Sequence, residues 1–341
     1  MFADKEVTVF PAYGSRADVA WTIPVRVWVH KRRLVDTLSD AHIHALLSDD
    51  DDGRRPSVDE IIRCRHRIAP FLADGDSGER VVLLDDEGRE IHRISTETDA
   101  NGFVEDVCTV SADRVGAFTL TARVIRKFGK DVNGAGRVML LEPEGMSVVS
   151  DIDDTIKITE VPAGRAIVLR NTFLLDYVAA GGMRDRYGAF GDASIHYVSG
   201  SPWQLFRLLR AFLVDESGFP EGTFHMKTVR TSLLDIPAFI TDLKNLVTGA
   251  EATKAQKLEQ IAMLMDAFPR RRFVLVGDSG ELDPEVFAEL RRTRGDQIDR
   301  VIIRDVVDAR IHAPERLHVA DEIIEAPAIT RGTSQFARAG S

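Results

Sequence analysis

The sequence predicts an α/β protein in two parts: a β-rich, sandwich-like domain over residues 1–126 and a larger α/β domain over residues 146–325. Two observations predict this division. Short apolar runs alternate with turn residues through most of the first part. In the second part strand-like and helix-like segments alternate, which is typical of a parallel sheet covered by helices. A chain of 341 residues, 44% of them hydrophobic, can form two domains with cores of their own.

Alternation at period two in the first part predicts strands with one buried face. The clearest case is VAWTIPVRVWV, where Val25, Val27 and Val29 fall on one face. Residues 34–73 instead place apolar side chains at helical spacing, and a polar loop ends at Ser57, a good N-cap. We therefore expect a helical hairpin inserted into the sandwich-like domain.

The two ends of the second part differ from it in composition. Residues 127–145 contain glycines and a proline, which predict a linker whose apolar RVMLL piece forms an edge strand or packing arm. Residues 326–341, ending in ITRGTSQFARAGS, predict a disordered tail.

Composition excludes some classes of function. A formal net charge of -10 argues against nucleic acid as a general partner, because phosphate backbones favour a clustered basic surface. No stretch approaches the roughly 20 apolar residues that a transmembrane helix needs. Two cysteines, Cys64 and Cys108, without metal-site spacing fit a reducing compartment, although one disulfide between them stays open. We expect a cytoplasmic protein.

The second part contains five units of strand and helix, in a regular alternation. The predicted strands are 147–151, 194–199, 224–229, 273–277 and 299–304, and the predicted helices are about 166–180, 203–215, 235–246, 253–268 and 284–293.

Two carboxylates and a hydroxyl stand at the end of the first of these strands, in the stretch MSVVSDIDDTIK. Asp151 and Asp153 are two apart, so they project similarly from an extended strand end, and Thr155 comes next. One carboxylate can attack a phosphorus atom while the other protonates the leaving oxygen. The stretch predicts a magnesium-dependent phosphotransfer centre with Asp151 as the nucleophile.

A hydroxyl and an ammonium fall at later strand and helix ends. Ser199 ends the strand in IHYVSGSPWQLF, and the following amides at Gly200 suit a phosphoryl oxygen next to a helix N-terminus. In EATKAQKLEQIAMLMDAFP, Lys257, or as the weaker candidate Lys254, can neutralise charge in the transition state.

The last signal is FVLVGDSGELDPEVF, a buried strand followed by a tight glycine turn. Asp278 and Asp283 supply carboxylate oxygens, the ligands that Mg²⁺ prefers. Mn²⁺ stays open as an alternative cation, since both ions are hard. Each of these signals alone would fit a helix cap or a solvated loop equally well. Caps and loops do not readily explain why all of them occur together in this order.

Together these motifs resemble a known family. The order DxDxT, strand-terminal serine, lysine and GDxxxxD resembles the haloacid dehalogenase superfamily, which implies a Rossmann-like parallel sheet. The segments SDIDDTIK, NTFLLDY, YVSGSPWQLF and KLEQI, with FVLVGDSGELDPEVF, narrow the resemblance to the catalytic domain of the actin-patch-associated phosphatidate phosphatases, which are similar to lipins. The resemblance covers roughly residues 145–310.

The resemblance implies a role for each matching residue. Asp151 would form an aspartyl-phosphate, and Asp153 would act as general acid and then as general base. Asp151, the backbone carbonyl of Asp153, and Asp278 would bind magnesium, and Asp283 would be a ligand or a partner of one. Ser199 would bind the transferring phosphoryl group, and Lys257 would pair with that group and with Asp151.

Substrate contacts are less well defined by the motifs. Thr155 and Gly200 lie beside the expected phosphoryl group, and Asn171 lies in a segment that could face the substrate. The stretch HMKTVRTS departs from the family pattern, so Arg230 is open as a substrate contact or as one half of a structural ion pair. The family implies a phospholipid substrate, phosphatidate, and peripheral contact with a membrane.

Three alternatives stay open at this stage. The domain could bind phospholipid or phosphoprotein through a vestigial site, it could hydrolyse soluble phosphate monoesters, or it could be a phospho-accepting receiver domain. A receiver domain also uses aspartates, a hydroxyl and a lysine around magnesium. It lacks GDxxxxD after the lysine, however, and its acidic pair precedes the acceptor strand.

Overall fold

The computed structural model describes residues 5–17, 19–31, 39–47, 56–125, 130–229, 241–242, 244–245 and 249–332. By its contacts the chain divides into two compact units. The first unit comprises Met1–Thr37 and Ala69–Pro143, and the second comprises Leu38–Ile68 and Glu144–Ser341.

The first unit is built from strands. In the described part of the chain they are β1 Lys5–Val9, β2 Ala12–Ala17, β3 Ala20–Lys31, β4 Asp74–Gly75, β5 Val81–Leu84, β6 Glu90–Arg93, β7 Phe103–Ser111, β8 Ala117–Val124 and β9 Val132–Leu141. They form one hydrogen-bonded sheet in the order β1-β3-β2-β9-β8-β5-β6, and β4 and β7 also pair with β3. Strands from both ends of this order share one apolar core, so the sheet curls around it.

The long strand β3 shows where the alternation rule holds and where it stops. Ile23, Val25, Val27 and Val29 are at most 2% exposed, as the period-two pattern predicts. Trp28 is buried as well, because its ring stacks on His30, with 3.7 Å between ring centroids. Both faces of the strand are therefore covered near its end.

Residues 132–141, which were predicted to lie in a linker with an edge strand or packing arm, form strand β9 of this sheet, and the linker prediction was wrong for them. β9 pairs in parallel with β2 and in antiparallel with β8, which makes it an interior strand rather than an edge. The glycines in this segment indicated a linker, but Gly134 and Gly136 are instead required by close packing. A Cβ on either would lie within 2.6 Å of a carbonyl oxygen of β1.

The second unit contains a six-stranded sheet whose strands all run parallel. These strands are β10 Met146–Ser150, β11 Ser194–Pro202, β12 Gly222–Lys227, β13 Arg272–Asp278, β14 Ile298–Asp305 and β15 Glu322–Glu325. The order is β12-β11-β10-β13-β14-β15, so the direction of winding reverses at β10. The five predicted strands are confirmed, and β15 is an additional edge strand.

Helices connect these strands. The α-helices among the described residues are α1 Asp40–Leu47, α2 Val58–Ile68, α3 Arg165–Phe173, α4 Met183–Gly188, α5 Phe206–Arg210, α6 Ala250–Ala267, α7 Asp283–Arg294 and α8 Ala309–His312. Short 3₁₀ segments are Ala69–Leu72, Val161–Ala163, Trp203–Leu205, Gly295–Gln297 and Pro314–Val319, and Ala211–Glu216 continues α5 as a π-helix. The predicted helix at 235–246 lies mostly outside the described residues.

The predicted helix at 166–180 ends early, at Phe173. The residues after it are extended, since Val178 accepts a hydrogen bond from the Ile158 amide (2.8 Å) and Ala180 donates one to Ile156 (2.8 Å). This pairing with the segment after β10 competes with the local helical pattern, and it places Tyr177 next to that segment.

The helix predicted over 203–215 packs with its apolar stripe inward. Trp203, Phe206, Leu209, Phe212 and Leu213 are all 7% exposed or less. The stripe is therefore part of the core of the second unit, as amphipathic spacing most often indicates, and it offers no surface to a membrane.

The helical hairpin belongs to the second unit by its contacts, which corrects its assignment to the N-terminal domain. Ser57 caps α2 as predicted, in a capping box: the Glu60 amide donates to Ser57 Oγ (3.3 Å), and the Ser57 amide donates to Glu60 Oε2 (2.7 Å). Arg63 of α2 forms an ion pair with Asp176 (2.8 Å).

The start of the predicted disordered tail is ordered against the second unit, which corrects the prediction for residues 326–332. Ile329 is 6% exposed, and its amide donates to the Val306 carbonyl (2.6 Å). The Gly332 amide donates to Ala163 (2.8 Å). One buried isoleucine and two backbone hydrogen bonds hold the segment. Its apolar residues have no regular spacing, so the sequence pattern does not reveal this order. Residues 333–341 lie outside the described part.

Two further features bear on the class of protein. Both Cys64 and Cys108 are buried and free, so the open disulfide between them is not formed. Among the described helices, none is both long enough and apolar enough to span a bilayer.

A buried polar network crosses β10, β11 and β12. His196 Nδ1 lies 2.7 Å from Thr223 Oγ1, which lies 3.0 Å from His225 Nε2, and His196 Nε2 lies 3.3 Å from Ser147 Oγ. Burial lowers the pKa of both imidazoles, to about 4 for His225, because an imidazolium loses hydration there. Both rings are therefore neutral in the folded protein near neutral pH.

These histidines should make the second unit less stable as the pH falls from about 6.5 to about 4. In that window the unfolded state binds protons that the folded state excludes, so the free energy of unfolding decreases. The His225 side chain is partly exposed. We expect His225→Gln to make the decrease in the free energy of unfolding over this pH range smaller by about 1–2 kcal/mol. Urea denaturation across the pH range measures it. The exposed control His312→Gln should keep the wild-type profile, and a His225→Gln profile equal to wild type contradicts the assignment.

Candidate active site

The site is built around Asp151, the residue that comes directly after the central strand β10. Its amide donates to the Val276 carbonyl of β13 (2.9 Å), so the sheet still fixes the backbone at this position. Thr155 Oγ1 donates to Asp151 Oδ2 (3.0 Å) and orients the carboxylate, and Asp151 is only 3% exposed. Ligands bind at such switch points of open parallel sheets.

The turn after β13 brings two more carboxylates to the same place. Asp278 Oδ1 accepts hydrogen bonds from the Gly280 and Glu281 amides (2.6 and 3.1 Å), and the Asp278 amide donates to Asp283 Oδ2 (3.3 Å). Gly277 is required for this approach, since a Cβ there would lie 2.5 Å from Asp283 Oδ2. Asp283 begins α7, where the helix dipole favours a negative charge.

Lys257 of α6 holds these carboxylates together. Its Nζ lies 2.7 Å from Asp151 Oδ1, 2.6 Å from Asp283 Oδ1 and 3.0 Å from Glu281 Oε2. Lys257 is 3% exposed, whereas the side chain of Lys254, the weaker candidate, is 33% exposed and its Nζ lies 3.8 Å from a glutamate of its own helix. The structure therefore places Lys257, and not Lys254, in the site.

The electrostatics of the site result from burying several acids beside one ammonium. Burial and the neighbouring carboxylates Asp283 and Asp151 raise the pKa of Asp278 well above its ordinary value. Burial likewise raises the pKa of Asp151, against the opposing effect of Lys257. Burial alone would lower the pKa of Lys257, but Asp151, Asp283 and Glu281 outweigh it and raise that pKa. The site thus has an excess of negative charge.

Asp153 lies in a different environment. Its Oδ1 accepts hydrogen bonds from Lys157 Nζ (3.0 Å) and Thr159 Oγ1 (2.6 Å), and its Oδ2 from the hydroxyls of Ser201 (3.0 Å) and Ser199 (3.3 Å). Burial opposes ionisation, but the Lys157 charge and these donors outweigh it and lower the pKa of Asp153 to about 2. The carboxylate is ionised near neutral pH.

Asp154 turns away from the site. Its Oδ1 accepts hydrogen bonds from the Thr159 and Glu160 amides (2.9 and 2.7 Å), and its backbone is left-handed with φ 57°. Aspartate tolerates this region better than most residues. Asp154 therefore shapes the loop that carries Lys157 and Thr159.

The structure places the predicted phosphoryl contacts at one edge of this centre. Ser199 Oγ accepts a hydrogen bond from the Ser201 amide (2.9 Å) while it donates to Asp153. Gly200 packs against α6, where an added Cβ would lie 2.8 Å from Thr253 Cγ2, so the turn requires glycine. Contact of Ser199, Gly200 or Thr155 with substrate stays a prediction.

The two other predicted substrate residues differ. Asn171 is 3% exposed, and its Nδ2 donates to the Thr159 carbonyl (2.9 Å) and to Glu160 Oε2 (3.0 Å). It therefore supports the loop after β10, and a direct substrate contact stays a prediction. Arg230 lies outside the described residues.

Four residues of the site were missed by the sequence reasoning. They are Lys157, Thr159, Ser201 and Glu281. Each lies within a few residues of a predicted one, but no spacing rule shows that a loop folds back. The polarity of SDIDDTIKIT and SGS was the available signal, because buried loops must satisfy such groups internally.

The donor set fits a hard divalent cation. Asp151, Asp278 and Asp283 each offer one oxygen, and these atoms lie within 4.8 Å of one another. Asp151 Oδ1 accepts no hydrogen bond from the described residues, although the Lys257 ammonium is 2.7 Å away. Carboxylate oxygens without soft ligands suit Mg²⁺ or Mn²⁺.

Fold and site together define a class of protein. The second unit is a parallel α/β domain with a buried carboxylate and lysine centre at its switch point. Residues 146–305 match the family model described as "Phosphatidate phosphatase APP1, catalytic domain". The sequence motifs predict the same family for this segment.

Two curated relatives agree with the family match. Phosphatidate phosphatase APP1 of Saccharomyces cerevisiae is 31% identical over 194 residues, which is 54% of this chain and 31% of that protein. An uncharacterized protein of Schizosaccharomyces pombe is 28% identical over 231 residues, 65% of this chain and 36% of that protein. The chain thus spans about a third of the length of the relatives it matches.

Solved structures align only weakly. A Bifidobacterium dentium β-glucuronidase complexed with coumarin-3-O-glucuronide gives a TM-score of 0.27 at 12% identity, covering 95% of this chain and 61% of that one. An apo β-glucuronidase 3 of Bacteroides uniformis gives 0.27 at 11% identity, covering 89% and 33%. Alignments at this level carry no argument about fold or function.

The charge balance predicts opposite effects on stability for two site variants. Without divalent cation, Asp278→Asn should stabilise the fold by on the order of 1 kcal/mol, because it removes a charge that folding disfavours while an amide oxygen can still accept the two backbone hydrogen bonds. Lys257→Met should destabilise it by about 3 kcal/mol, since the buried acids lose their counter-charge.

Urea denaturation in the presence of EDTA measures both variants. Lys254→Met on the same helix is the matched control and should stay within about 0.5 kcal/mol of the wild type. Destabilisation by Asp278→Asn of the same size as that by Lys257→Met would contradict an excess of negative charge.

Proposed function

We propose that residues 146–325 form a haloacid-dehalogenase-like phosphatase domain, which hydrolyses phosphate monoesters through an aspartyl-phosphate on Asp151. The observation that carries this proposal is the convergence of Asp151, Asp278 and Asp283 on Lys257 at the end of the central strand. The match of residues 146–305 to the catalytic-domain family model supports it.

In the first step, an Asp151 oxygen attacks phosphorus and the bond from phosphorus to the ester oxygen breaks. Lys257 stabilises charge on the attacking carboxylate and the phosphoryl oxygens. Asp153 gives its proton to the departing oxygen. The negative charge of a bound phosphate ester raises the pKa of Asp153 from its low value, so the acid form becomes available on binding.

In the second step, water attacks the phosphorus of the aspartyl-phosphate, and the bond from phosphorus to the Asp151 oxygen breaks. Asp153, now a carboxylate, takes the water proton. The products are inorganic phosphate and the regenerated Asp151 carboxylate. The four hydrogen bonds to Asp153 hold the carboxylate in place for both proton transfers.

Asp151, the backbone carbonyl of Asp153, and Asp278 would hold the divalent cation, with Asp283 beside them. When bound, the cation supplies positive charge against the phosphoryl oxygens, and Mg²⁺ is the ion we propose, with Mn²⁺ as an alternative. Thr155 keeps Asp151 oriented towards phosphorus.

Phosphatidate is the proposed substrate, with diacylglycerol and phosphate as products. The printed name of the yeast relative supports this choice. We further propose a cytoplasmic protein that contacts membranes peripherally, since phosphatidate lies in a bilayer. Residues 203–216 are not the contact, because their apolar stripe is buried.

Phosphate release from phosphatidate tests the proposal. With Mg²⁺, the wild type should release phosphate from phosphatidate in mixed micelles, EDTA should abolish release, and Asp151→Asn should lower it by on the order of 10³-fold or more. The exposed control Asp192→Asn should match the wild type. If no ester in a panel of phosphatidate, sugar phosphates and nucleotides is hydrolysed, the enzyme proposal is wrong.

Two alternatives give different outcomes in the same assay. A phosphatase of soluble monoesters hydrolyses a sugar phosphate with a higher kcat/KM than phosphatidate. A lipid-binding module with a vestigial site floats with phosphatidate liposomes, does so equally after Asp151→Asn, and releases no phosphate.

A further inference from the structure

The ring of Tyr177 contacts two cations next to the site. The Arg67 guanidinium is 3.8 Å from the centroid of its ring, and Lys157 Nζ is 4.9 Å from it. The ring of Phe212 meets it edge-on, with 5.3 Å between the centroids. An aromatic face attracts cations, most strongly where water is excluded.

Lys157 is the cation that acts on Asp153. It is 1% exposed, and its Nζ donates to Asp153 Oδ1 (3.0 Å) and to Thr159 Oγ1 (2.5 Å), which in turn donates to Asp153 Oδ1 (2.6 Å). An ammonium has three N–H groups, and besides these two hydrogen bonds the Lys157 ammonium contacts the Tyr177 ring. The ring therefore limits where the ammonium can lie.

Arg67 contacts the same ring and also holds the segment that leads to it. It belongs to α2, and its Nη1 donates to the carbonyls of Thr172 (2.9 Å) and Leu175 (2.6 Å) in the segment that leads to Tyr177. Arg63 adds an ion pair with Asp176. The helical hairpin thus holds the backbone around Tyr177, although it lies about 80 residues before the family match begins.

The described contacts of Tyr177 are made by its ring and not by its hydroxyl. The hydroxyl is buried and makes no hydrogen bond within the described part of the chain. A tyrosine kept for packing and for its π-face can be replaced by phenylalanine without loss, whereas an aliphatic side chain of similar size lacks the negative face.

We propose that Tyr177, held by Arg67, is a positioning residue that keeps Lys157 on Asp153, so that the inserted helical hairpin fixes the position of the Asp153 carboxylate in the site. The proposal rests on the proposed function, in which Asp153 protonates the leaving oxygen. On this proposal, the contact between α2 and the segment after α3 serves to hold Tyr177 against Lys157.

The dependence on the leaving group tests this proposal. Protonation by Asp153 is needed for an alkoxide and hardly for p-nitrophenolate, a stable anion. With Mg²⁺ present, Tyr177→Leu should lower kcat/KM for a short-chain phosphatidate by on the order of 10-fold or more, and that for p-nitrophenyl phosphate by less than about 3-fold. The ratio kcat/KM reports the step in which the ester bond breaks, before water attacks.

A second variant and two controls separate positioning from general damage. Arg67→Met should show the same selective loss and carries the test if Tyr177→Leu does not fold, as judged by circular dichroism. Tyr177→Phe should keep both rates. Arg65→Met, which removes a surface ion pair to Asp40, should also keep them.

Three outcomes would overturn the proposal. They are equal losses for both esters, a loss in Tyr177→Phe as large as that in Tyr177→Leu, and full activity in Tyr177→Leu and Arg67→Met. If the wild type still hydrolyses both esters, each of these outcomes contradicts only this proposal and not the proposed function. A wild type that hydrolyses no ester rejects the proposed function, and this proposal with it.

Discussion

The contact of Lys257 with Asp151 and Asp283 is the constraint on which the second unit depends. Acids from the ends of two adjacent strands are buried together, and without an internal cation their repulsion would oppose folding. The site therefore needs α6 to deliver an ammonium into the switch point. Gly277 and Gly200 serve the same end, since each removes the Cβ that would block a close approach.

The two acids of the DxDxT motif are only two residues apart but experience opposite environments. Asp151 faces carboxylates and one shared ammonium, which leaves its pKa raised, whereas Asp153 has its own lysine and three hydroxyls, which lower its pKa to about 2. Such a separation is how one site assigns different roles to identical groups. A divalent cation would favour the ionised form of Asp151, so binding of the cation and ionisation of this carboxylate would be linked electrostatically.

Sequence reasoning was most accurate for features that short-range rules determine. Asp151 directly follows β10, Ser199 lies near the end of β11 and Asp278 ends β13. Parallel strands bring their ends to one edge, so the convergence of these residues is predictable without coordinates. The N-cap at Ser57 is equally local.

The features that sequence reasoning missed all depend on tertiary contacts. β9 is interior because β1 covers its glycines, α3 stops at Phe173 because the next residues pair with the segment after β10, and Ile329 orders the predicted tail by burial alone. The hairpin joins the second unit through Arg63 and Arg67, which in the sequence resemble ordinary surface arginines of an amphipathic helix.

The most direct measurement is the identity of the residue that carries phosphate during turnover. Rapid acid quenching of the wild type with Mg²⁺ and phosphatidate, followed by peptide mass spectrometry, should find one phosphoryl group on Asp151, and none in Asp151→Asn. Phosphate release at an undiminished rate with no phosphoenzyme, or with the phosphoryl group on another residue, would contradict the account.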